Sequence, residues 1–289
     1  MEKYSLPTIC FVGVGNMGNP MAANLLKSHY PLKVYDLDKS KASNLIEAGA
    51  SWVTDLPQAI SQADVIITSL PGPSQVEQVM FGDANILKYI KKAATLIDTS
   101  TSSVELASRI QEISFAREFN YLEAPLTNAV DGAIRGELAF FIGGEKKCFQ
   151  ENQHIFNTLG CDIFYVGKPG NGNITKLITN LLWFINAAAI GEGLMIGAQA
   201  DIPLEIIAKA LKSSAGNSWV VEHDIPALFE GHYDPSFSLG LCCKDLGLVT
   251  DIADSQGIEL PMGKMAQKIF ESAREKYGAE APELSVVRI

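Results

Sequence analysis

The stretch that decides the fold lies near the start of the chain, where residues 8–27 read TICFVGVGNMGNPMAANLLK. An apolar run typical of a buried strand ends in G-x-G-x-x-G, and apolar residues at helical spacing follow. In a strand–turn–helix of this kind Gly13 makes a tight turn, Gly15 lets the backbone approach a pyrophosphate, and Gly18 lets the helix pack on the strand. The predicted dinucleotide-contacting residues of this turn are Gly13, Gly15, Asn16, Met17 and Gly18.

The next strand-like run, LKVYD, ends in Asp36, eighteen residues after Gly18. A carboxylate at this place accepts a hydrogen bond from the ribose 2′-hydroxyl of NAD and repels the 2′-phosphate of NADP. No arginine follows, because the next residue is Leu37. The sequence favours NAD, while Lys39 and Lys41 keep NADP open as a second cofactor. Without the glycine turn before it, Asp36 would be interpreted as a solvated turn carboxylate or a helix cap.

Short β-rich runs alternate with helical stretches through the first part of the chain. This alternation predicts an α/β fold, a Rossmann-type doubly wound and mostly parallel sheet with helices on both faces. We assign it to an NAD-binding domain of residues 1–167. The predicted strands after the glycine turn are PLKVYD, ASWV, ADVIITSL, AATLIDTS, FNYLEAPL, LAFFIGG and DIFYVG.

Helical periodicity dominates the rest of the chain, and no further strand-like run stands out after Gly170. Residues 168–289 are therefore predicted to form an all-helical C-terminal domain. A long helix of close to thirty residues, beginning at the turn-rich KPGNGN, is expected to connect the two domains. The tail APELSVVRI is expected to be loosely held.

Composition excludes several classes of function. The 289 residues carry a net charge of −10, so no basic surface is available for nucleic acid or anionic lipid. No signal peptide is recognised, and asparagines and a glutamate interrupt the long apolar helix, which argues against a membrane span. Five scattered cysteines fit reduced thiols in a cytoplasmic protein. The four histidines form no metal-ligand pattern, which leaves lysine, hydroxyls and amides for catalysis.

One lysine stands out at the start of the long helix. In GNGNITKLITN, Lys176 and Asn180 are four residues apart and project from one helix face. The helix dipole and partial burial both disfavour an ammonium there, which suits a general acid or base. The alternative is a lysine that merely extends its charge to water.

Several stretches together resemble the β-hydroxyacid dehydrogenases, the family that includes 3-hydroxyisobutyrate dehydrogenase, tartronate semialdehyde reductase and, more distantly, 6-phosphogluconate dehydrogenase. They are FVGVGNMGNPMAANLLK, ITSLPGPSQVEQVM, IDTST, GNGNITKLITN and FSLGLCCKDLGL, in family order along essentially the whole chain. The resemblance implies that Lys176 is the catalytic acid/base and that Asn180 orients the substrate. It also implies cofactor contacts from Leu70, Pro71, Thr101, Phe237 and Lys244.

The substrate loop departs from the family pattern. The family usually reads aspartate-alanine-proline-valine-serine-glycine-glycine, whereas this chain has EAPLTNA over residues 123–129. Thr127 keeps a hydroxyl for the substrate carboxylate, but Asn128 and Ala129 replace two glycines. We expect the side chains to narrow the carboxylate cradle, or Asn128 to offer its amide to a more polar substrate. Trp219, in SSAGNSW, is expected either to line the substrate pocket or to belong to the core.

The resemblance implies NAD-dependent oxidation of a small 3-hydroxy acid, either 3-hydroxyisobutyrate-like or a sugar acid such as threonate, to its semialdehyde or keto acid. An NADPH-dependent reductase of glyoxylate or succinic semialdehyde is the alternative, although those relatives carry asparagine-arginine where this chain has Asp36 and Leu37. A non-catalytic dinucleotide-binding protein or an imine reductase would lack the lysine. The long apolar helices favour a homodimer or homotetramer.

Overall fold

The computed structural model describes residues 6–231, 233 and 237–288. The chain divides into two compact units, Met1–Lys176 and Leu177–Ile289. A nine-stranded sheet forms the centre of the first unit. The described residues of the second unit contain helices and no strand beyond an isolated bridge between Ser238 and Pro282. The predicted fold class, a Rossmann-type sheet in the first part of the chain and an all-helical second part, is confirmed.

The sheet is mostly parallel. Its strands are β1 (Ile9–Val12), β2 (Leu32–Tyr35), β3 (Ser51–Trp52), β4 (Val65–Thr68), β5 (Thr95–Asp98), β6 (Asn120–Glu123), β7 (Leu126–Thr127), β8 (Leu138–Gly144) and β9 (Gly160–Gly167). The spatial order is β3-β2-β1-β4-β5-β6-β8-β7, and β9 pairs with β8. β1 to β6 run parallel, while β8 is antiparallel to β6 and β7 and parallel to β9. Successive strands are added on one side of β1 up to β3, and on its other side from β4 onward. Open α/β sheets bind ligands at this change in strand order, between β1 and β4.

The run FNYLEAPL was predicted to be one strand, and this prediction is wrong. It forms two short strands, β6 and β7, which both pair with β8 in one antiparallel register and are interrupted at Ala124 and Pro125. Proline has no N–H to donate to a ladder, so β6 ends before it. The chain continues along β8, where the Phe141 N–H donates to the Pro125 carbonyl and Leu126 pairs with Phe140.

Side chains of the central strands alternate between two cores. Ile9 and Phe11 pack in one core, whereas Cys10 and Val12 pack in the other. Helices cover both faces, which explains why the whole β1 run is apolar. The helices of this unit are α1 (Gly18–Lys27), α2 (Ser43–Glu47), α3 (Leu56–Gln62), α4 (Pro73–Phe81), α5 (Val104–Arg117), α6 (Ala129–Arg135) and α7 (Lys146–Leu159), with 3-10 turns at Lys39–Ala42 and Ile86–Lys88.

The predicted long helix is present as α8 (Asn171–Gln199), with 29 residues. By length and composition it is the one helix in the described part of the chain that could cross a membrane. Its first turns bury Asn173, Lys176 and Asn180. Buried amides and a buried ammonium are normal in a packed protein helix and costly in lipid.

The second unit packs its helices around one core. They are the part of α8 from Leu177 onward, α9 (Leu204–Lys212), α10 (Ile225–Phe229), α11 (Leu239–Ser255) and α12 (Pro261–Tyr277), with a π-helical turn at Val220–Asp224 and a 3-10 turn at Glu283–Arg288. The tail was expected to be loose, and this expectation is wrong for the described residues. Leu284 and Val286 are buried, and the Leu239 N–H donates to the Ala281 carbonyl, because the tail covers apolar side chains of the helical core.

Candidate active site

The glycine turn joins β1 to α1, and its glycines face different surroundings. A Cβ at Gly13, where φ is +91°, would lie 2.3 Å from the Ser69 carbonyl oxygen. A Cβ at Gly18 would lie 2.0 Å from the Gly13 carbonyl oxygen. A Cβ at Gly15 would meet no atom within 4 Å. Gly13 and Gly18 are therefore required by the turn itself, whereas Gly15 borders open space that a pyrophosphate could enter.

Asp36 supports the same turn from the end of β2. Its Oδ2 accepts a 2.9 Å hydrogen bond from the Val14 N–H, and its Oδ1 accepts a 3.0 Å bond from the Asp38 N–H. Lys41 lies 3.9 Å from the same carboxylate. Asp36 is neither free in solvent nor the cap of the following turn, since Asp38 is that cap. Its carboxylate lies beside the glycine turn, as ribose recognition requires.

The loops after β4 and β5 are tied together by a buried carboxylate. Asp98 accepts hydrogen bonds from Thr68 Oγ1 at 2.8 Å and from the Ser100 N–H at 3.1 Å. Ser100 Oγ in turn accepts a 3.0 Å bond from the Leu70 N–H. Burial raises the pKa of Asp98 above its ordinary range, against the lowering effect of these bonds. The segments that carry Leu70 and Thr101 are thereby fixed to each other.

Parallel strands bring the predicted cofactor residues of the first unit to one edge. The glycine turn, Asp36, Leu70 with Pro71, and Thr101 follow β1, β2, β4 and β5 respectively. Because the carboxyl ends of parallel strands meet at the same edge, these residues line a continuous rim. Asn16 is exposed in the turn, while Met17 packs against the core. The predicted cofactor residues of the first unit therefore lie at the edge where open α/β sheets bind their ligands.

Lys176 lies in the second turn of α8 and is 8% exposed, so it does not simply extend into water. The turn before it is held by Glu123 at the end of β6. Glu123 Oε1 accepts a 2.7 Å bond from the Gly172 N–H, and Oε2 accepts a 2.6 Å bond from Asn173 Nδ2. Asn173 Oδ1 accepts a 2.7 Å bond from the Ser102 N–H. Burial raises the pKa of Glu123 to about 7, although these hydrogen bonds lower it.

The substrate loop keeps a glycine-like backbone without glycine. Asn128 has φ +86° and Ala129 has φ +54°, both in the left-handed region. The Asn128 side chain donates from Nδ2 to the Glu137 carbonyl oxygen at 2.8 Å. The loop itself therefore uses one of the two N–H groups of this amide, and the expectation that the amide is offered to a substrate stays a prediction. Thr127 and Asn128 are half-buried, and Ala129 is exposed.

A second group of polar side chains lies within the helical unit. Asn180 Nδ2 donates to Asp245 Oδ2 at 2.7 Å, and Lys244 Nζ lies 3.0 Å from Asp245 Oδ1. Asp245 is 2% exposed. Phe237 packs on Trp183, with ring centroids 5.4 Å apart. The helical unit therefore fixes Asn180 and Lys244 through one buried carboxylate.

Trp219 is not a core residue. It is 61% exposed and stacks on His223, with ring centroids 3.6 Å apart. Of the two expectations for this side chain, membership of the core is wrong and the pocket assignment stays a prediction. Within residues 6–231, 233 and 237–288 no group of three or more histidine, cysteine, aspartate or glutamate side chains could hold a metal ion.

Three residues with structural roles in these groups were not singled out from the sequence, namely Glu123, Asn173 and Asp245. Each lies directly within a motif that was recognised, but its partner is distant in sequence. Glu123 and Asn173 are 50 residues apart, and Asn180 and Asp245 are 65 residues apart. A polar residue at the end of a buried strand, or next to a predicted functional lysine, is the signal that could have found them.

Comparison with known proteins gives consistent matches over both units. Residues 8–167 match the NAD-binding domain of 6-phosphogluconate dehydrogenase, and residues 170–289 match the NAD-binding domain of NADP-dependent 3-hydroxyisobutyrate dehydrogenase. A 3-hydroxyisobutyrate dehydrogenase of Pseudomonas aeruginosa is 32% identical over 91% of this chain and 90% of its own. An NAD-dependent L-serine dehydrogenase of the same organism is 31% identical over 97% and 96%. The structure of Mycobacterium tuberculosis 3-hydroxyisobutyrate dehydrogenase with L-serine has 27% identity, a TM-score of 0.90 and 98% coverage of both chains.

Proposed function

Because the chain belongs to the 3-hydroxyisobutyrate dehydrogenase family of NAD(P)-dependent 3-hydroxyacid dehydrogenases, we propose that it oxidises a small 3-hydroxy acid with NAD. The product is the corresponding semialdehyde or keto acid. We place 3-hydroxyisobutyrate, L-serine and the sugar acid threonate within the substrate class. NAD, when bound, supplies the acceptor for the hydride that leaves the hydroxyl-bearing carbon.

Lys176 carries the proton chemistry in this proposal. The observation that supports it most directly is the burial of Lys176 and Asn180 one turn apart on α8, at 8% and 3% exposure. Lys176 takes the hydroxyl proton at Nζ as the hydride leaves. Asn180 is held by Asp245 through its Nδ2, so its Oδ1 is the atom directed to the substrate hydroxyl. Thr127 and Asn128, with Lys244, anchor the carboxylate, and this orientation lowers the barrier.

In this proposal the dinucleotide lies along the rim of the sheet, where it is held by the glycine turn, the Leu70–Pro71 loop and Thr101. Phe237 covers the dinucleotide. Asp36 sets the preference for NAD over NADP, because its partly buried carboxylate would repel the negative 2′-phosphate of NADP. Leu37, which is 93% exposed, offers no positive charge in compensation. Trp219 is assigned to the wall of the substrate pocket.

The test is initial-rate oxidation with NAD and with NADP across 3-hydroxyisobutyrate, L-serine, threonate, glycerate and 4-hydroxybutyrate. We expect NAD-dependent turnover of at least one 3-hydroxy acid. Lys176→Ala should lower kcat by about 10²- to 10⁴-fold, as removal of a general acid–base group does, with NAD affinity unchanged. Lys168→Ala, just before the same helix, is the matched control and should keep full activity. Turnover that survives in Lys176→Ala would refute the assignment.

We further propose that the enzyme is a homo-oligomer. Large apolar side chains of the helical unit are exposed in the single chain, among them Leu182, Ile196, Ile206 and Met262. α9 buries no residue, and an apolar groove of about 410 Å³ runs beside it. Light scattering should give a dimer or tetramer mass. Ile206→Glu should shift this mass toward the monomer, and Ile134→Glu, at an exposed position of α6, should not.

We propose a cytoplasmic location. The five cysteines are free thiols, and four of them are buried where oxidation partners cannot reach them. Fractionation of cells that express the tagged chain should place it in the soluble cytoplasmic fraction. Recovery in a membrane fraction would contradict the proposal and direct attention to α8.

A further inference from the structure

Glu123 occupies a site built for a carboxylate. It is fully buried at the end of β6, and two glycines leave the room that its carboxylate fills. A Cβ at Gly143 would lie 2.3 Å from Glu123 Oε1, and a Cβ at Gly172 would lie 3.1 Å from the same atom. A buried carboxylate is expensive unless its oxygens are hydrogen-bonded. Oε1 accepts from Gly172 and Oε2 accepts from Asn173, and both of these donors belong to the first turn of α8.

Asn173 extends this contact to the loop after β5. Its amide has a fixed direction, because Nδ2 donates to Glu123 while Oδ1 accepts from the Ser102 N–H. Asn173 is 1% exposed, so water cannot replace either partner. Ser102 follows Thr101, and Asn173 precedes Lys176 by three residues. All of these residues belong to the first compact unit.

We propose that Glu123 is a positioning residue for catalysis, which acts through Asn173 to fix the segment that carries Thr101 to the helical turn that carries Lys176. This inference rests on the proposed function for the roles of Thr101 and Lys176. We call the hydrogen-bonded chain Glu123–Asn173–Ser102 the relay. It depends on each hydrogen-bond donor facing an acceptor. A carboxylate at position 123 forces the Asn173 amide to turn its nitrogen inward, and the carbonyl oxygen is then the group that meets Ser102.

Neutralising the carboxylate breaks this polarity. In Glu123→Gln one terminal atom becomes an NH₂ group, which faces either Asn173 Nδ2 or the Gly172 N–H as donor against donor. Rotation of the Asn173 amide relieves the first conflict and creates the same conflict at the Ser102 N–H. Asn173→Asp creates the opposite conflict, because its carboxylate and the Glu123 carboxylate face each other as acceptor against acceptor. The double variant Glu123→Gln/Asn173→Asp restores every donor–acceptor pair with the two functional groups exchanged.

The experiment is a cycle of these variants in the full-length enzyme. It has two readouts, kcat for the best 3-hydroxy acid and hydrogen–deuterium exchange of the peptide that contains Ser102. Each single variant should lower kcat by about ten- to hundredfold, the effect of a small misplacement of a catalytic group. Each should also raise exchange at Ser102. The double variant should recover both readouts to within a few-fold of wild type, and Glu112→Gln, at an exposed position of α5, should change neither.

The two readouts separate the possible failures. A wild-type enzyme that oxidises no substrate of the panel overturns the proposed function, and the exchange data still report on the relay. Single variants that raise exchange without lowering kcat overturn the positioning role. A double variant no better than the singles overturns the polarity mechanism. If a single variant does not fold, the double variant is compared with wild type directly. The two proteins must then agree in kcat and in hydrogen–deuterium exchange at Ser102.

Discussion

Asn180 and Asp245 form a 2.7 Å hydrogen bond in which the amide nitrogen donates to the buried carboxylate. The bond selects one of the two orientations of the Asn180 amide, so that Oδ1 remains for a substrate hydroxyl. Asp245 also pairs with Lys244. One carboxylate therefore sets the direction of two side chains that the proposed reaction uses.

The first prediction concerns this pair. Asn180→Ala and Asp245→Ala should each lower kcat by about tenfold or more, because the substrate hydroxyl loses its oriented acceptor. The double variant should be no worse than the more damaging single variant, since contacting residues are not additive. Steady-state kinetics of the full cycle measures this coupling. Asp251→Ala, an exposed carboxylate on the same helix α11, is the control. Strict additivity would contradict the orientation argument.

The second prediction separates the glycines of the turn. Gly15→Ala should fold with an unchanged melting temperature, because its Cβ meets no protein atom within 4 Å. It should weaken NAD binding by at least tenfold, because the methyl group occupies the path of the pyrophosphate. Gly18→Ala should lose stability instead, since its Cβ would lie 2.0 Å from a backbone oxygen. Thermal unfolding and NAD titration of both variants measure this contrast. Normal NAD affinity in Gly15→Ala would place the pyrophosphate elsewhere.

The third prediction concerns the choice of cofactor. Asp36→Asn/Leu37→Arg should move the NAD-to-NADP ratio of kcat/KM toward NADP by roughly ten- to hundredfold, because hydrogen bonds to charged groups are worth about 1.5–3 kcal/mol. The asparagine amide introduced at position 36 keeps an oxygen for the Val14 N–H, which preserves the contact with the glycine turn, while the Asp38 N–H loses its acceptor. Leu37→Ala, which removes the exposed side chain without adding charge, should leave the ratio unchanged. A ratio that stays fixed in the double variant would remove Asp36 from cofactor selection.

The fourth prediction concerns the left-handed residue Ala129. An L-residue in this conformation costs about 1–2 kcal/mol that glycine does not incur. Ala129→Gly should therefore raise the free energy of unfolding by about 1 kcal/mol, measured by denaturant titration. Ala116→Gly, at an exposed position of α5 with ordinary helical geometry, should lower it by about 0.5–1 kcal/mol. Equal effects at both positions would mean that the conformation of Ala129 carries no strain.

How much of this site the sequence could predict depends on how local each signal is. The turn GVGNMG and the pair Lys176–Asn180 are visible in the sequence, because a turn and a helical repeat are set by neighbouring residues. The interruption of FNYLEAPL at Ala124 and Pro125 becomes visible only when β6 and β7 pair with β8. The contact of Glu123 with Asn173 depends on the packing of β6 against the start of α8. Those contacts join residues that are far apart in the sequence, so they form only when the chain folds. The bond from the Asn128 amide to the Glu137 carbonyl was not predicted for the same reason.

The last prediction follows from the raised pKa of Glu123, which burial moves from 4.5 to about 7. The folded state then holds this proton more tightly than the unfolded state does. The stabilisation is fully present below pH 4.5 and is lost as pH rises through 7, by on the order of 3 kcal/mol. Glutamine does not titrate, so the stability of wild type relative to Glu123→Gln should fall between about pH 5 and pH 8. Denaturant titrations at several pH values measure it.

Other titratable groups lie near Glu123. Asp98 is its cross-strand partner, Tyr121 lies on the same strand with a pKa raised well above its ordinary value by burial, and Lys176 follows one turn along α8. All three are present in both proteins. A stability difference that is constant or rises with pH would contradict the raised pKa. The ionised form that satisfies both Gly172 and Asn173 is thus the less stable one, so the relay should work best at a pH where the fold has lost part of its stability.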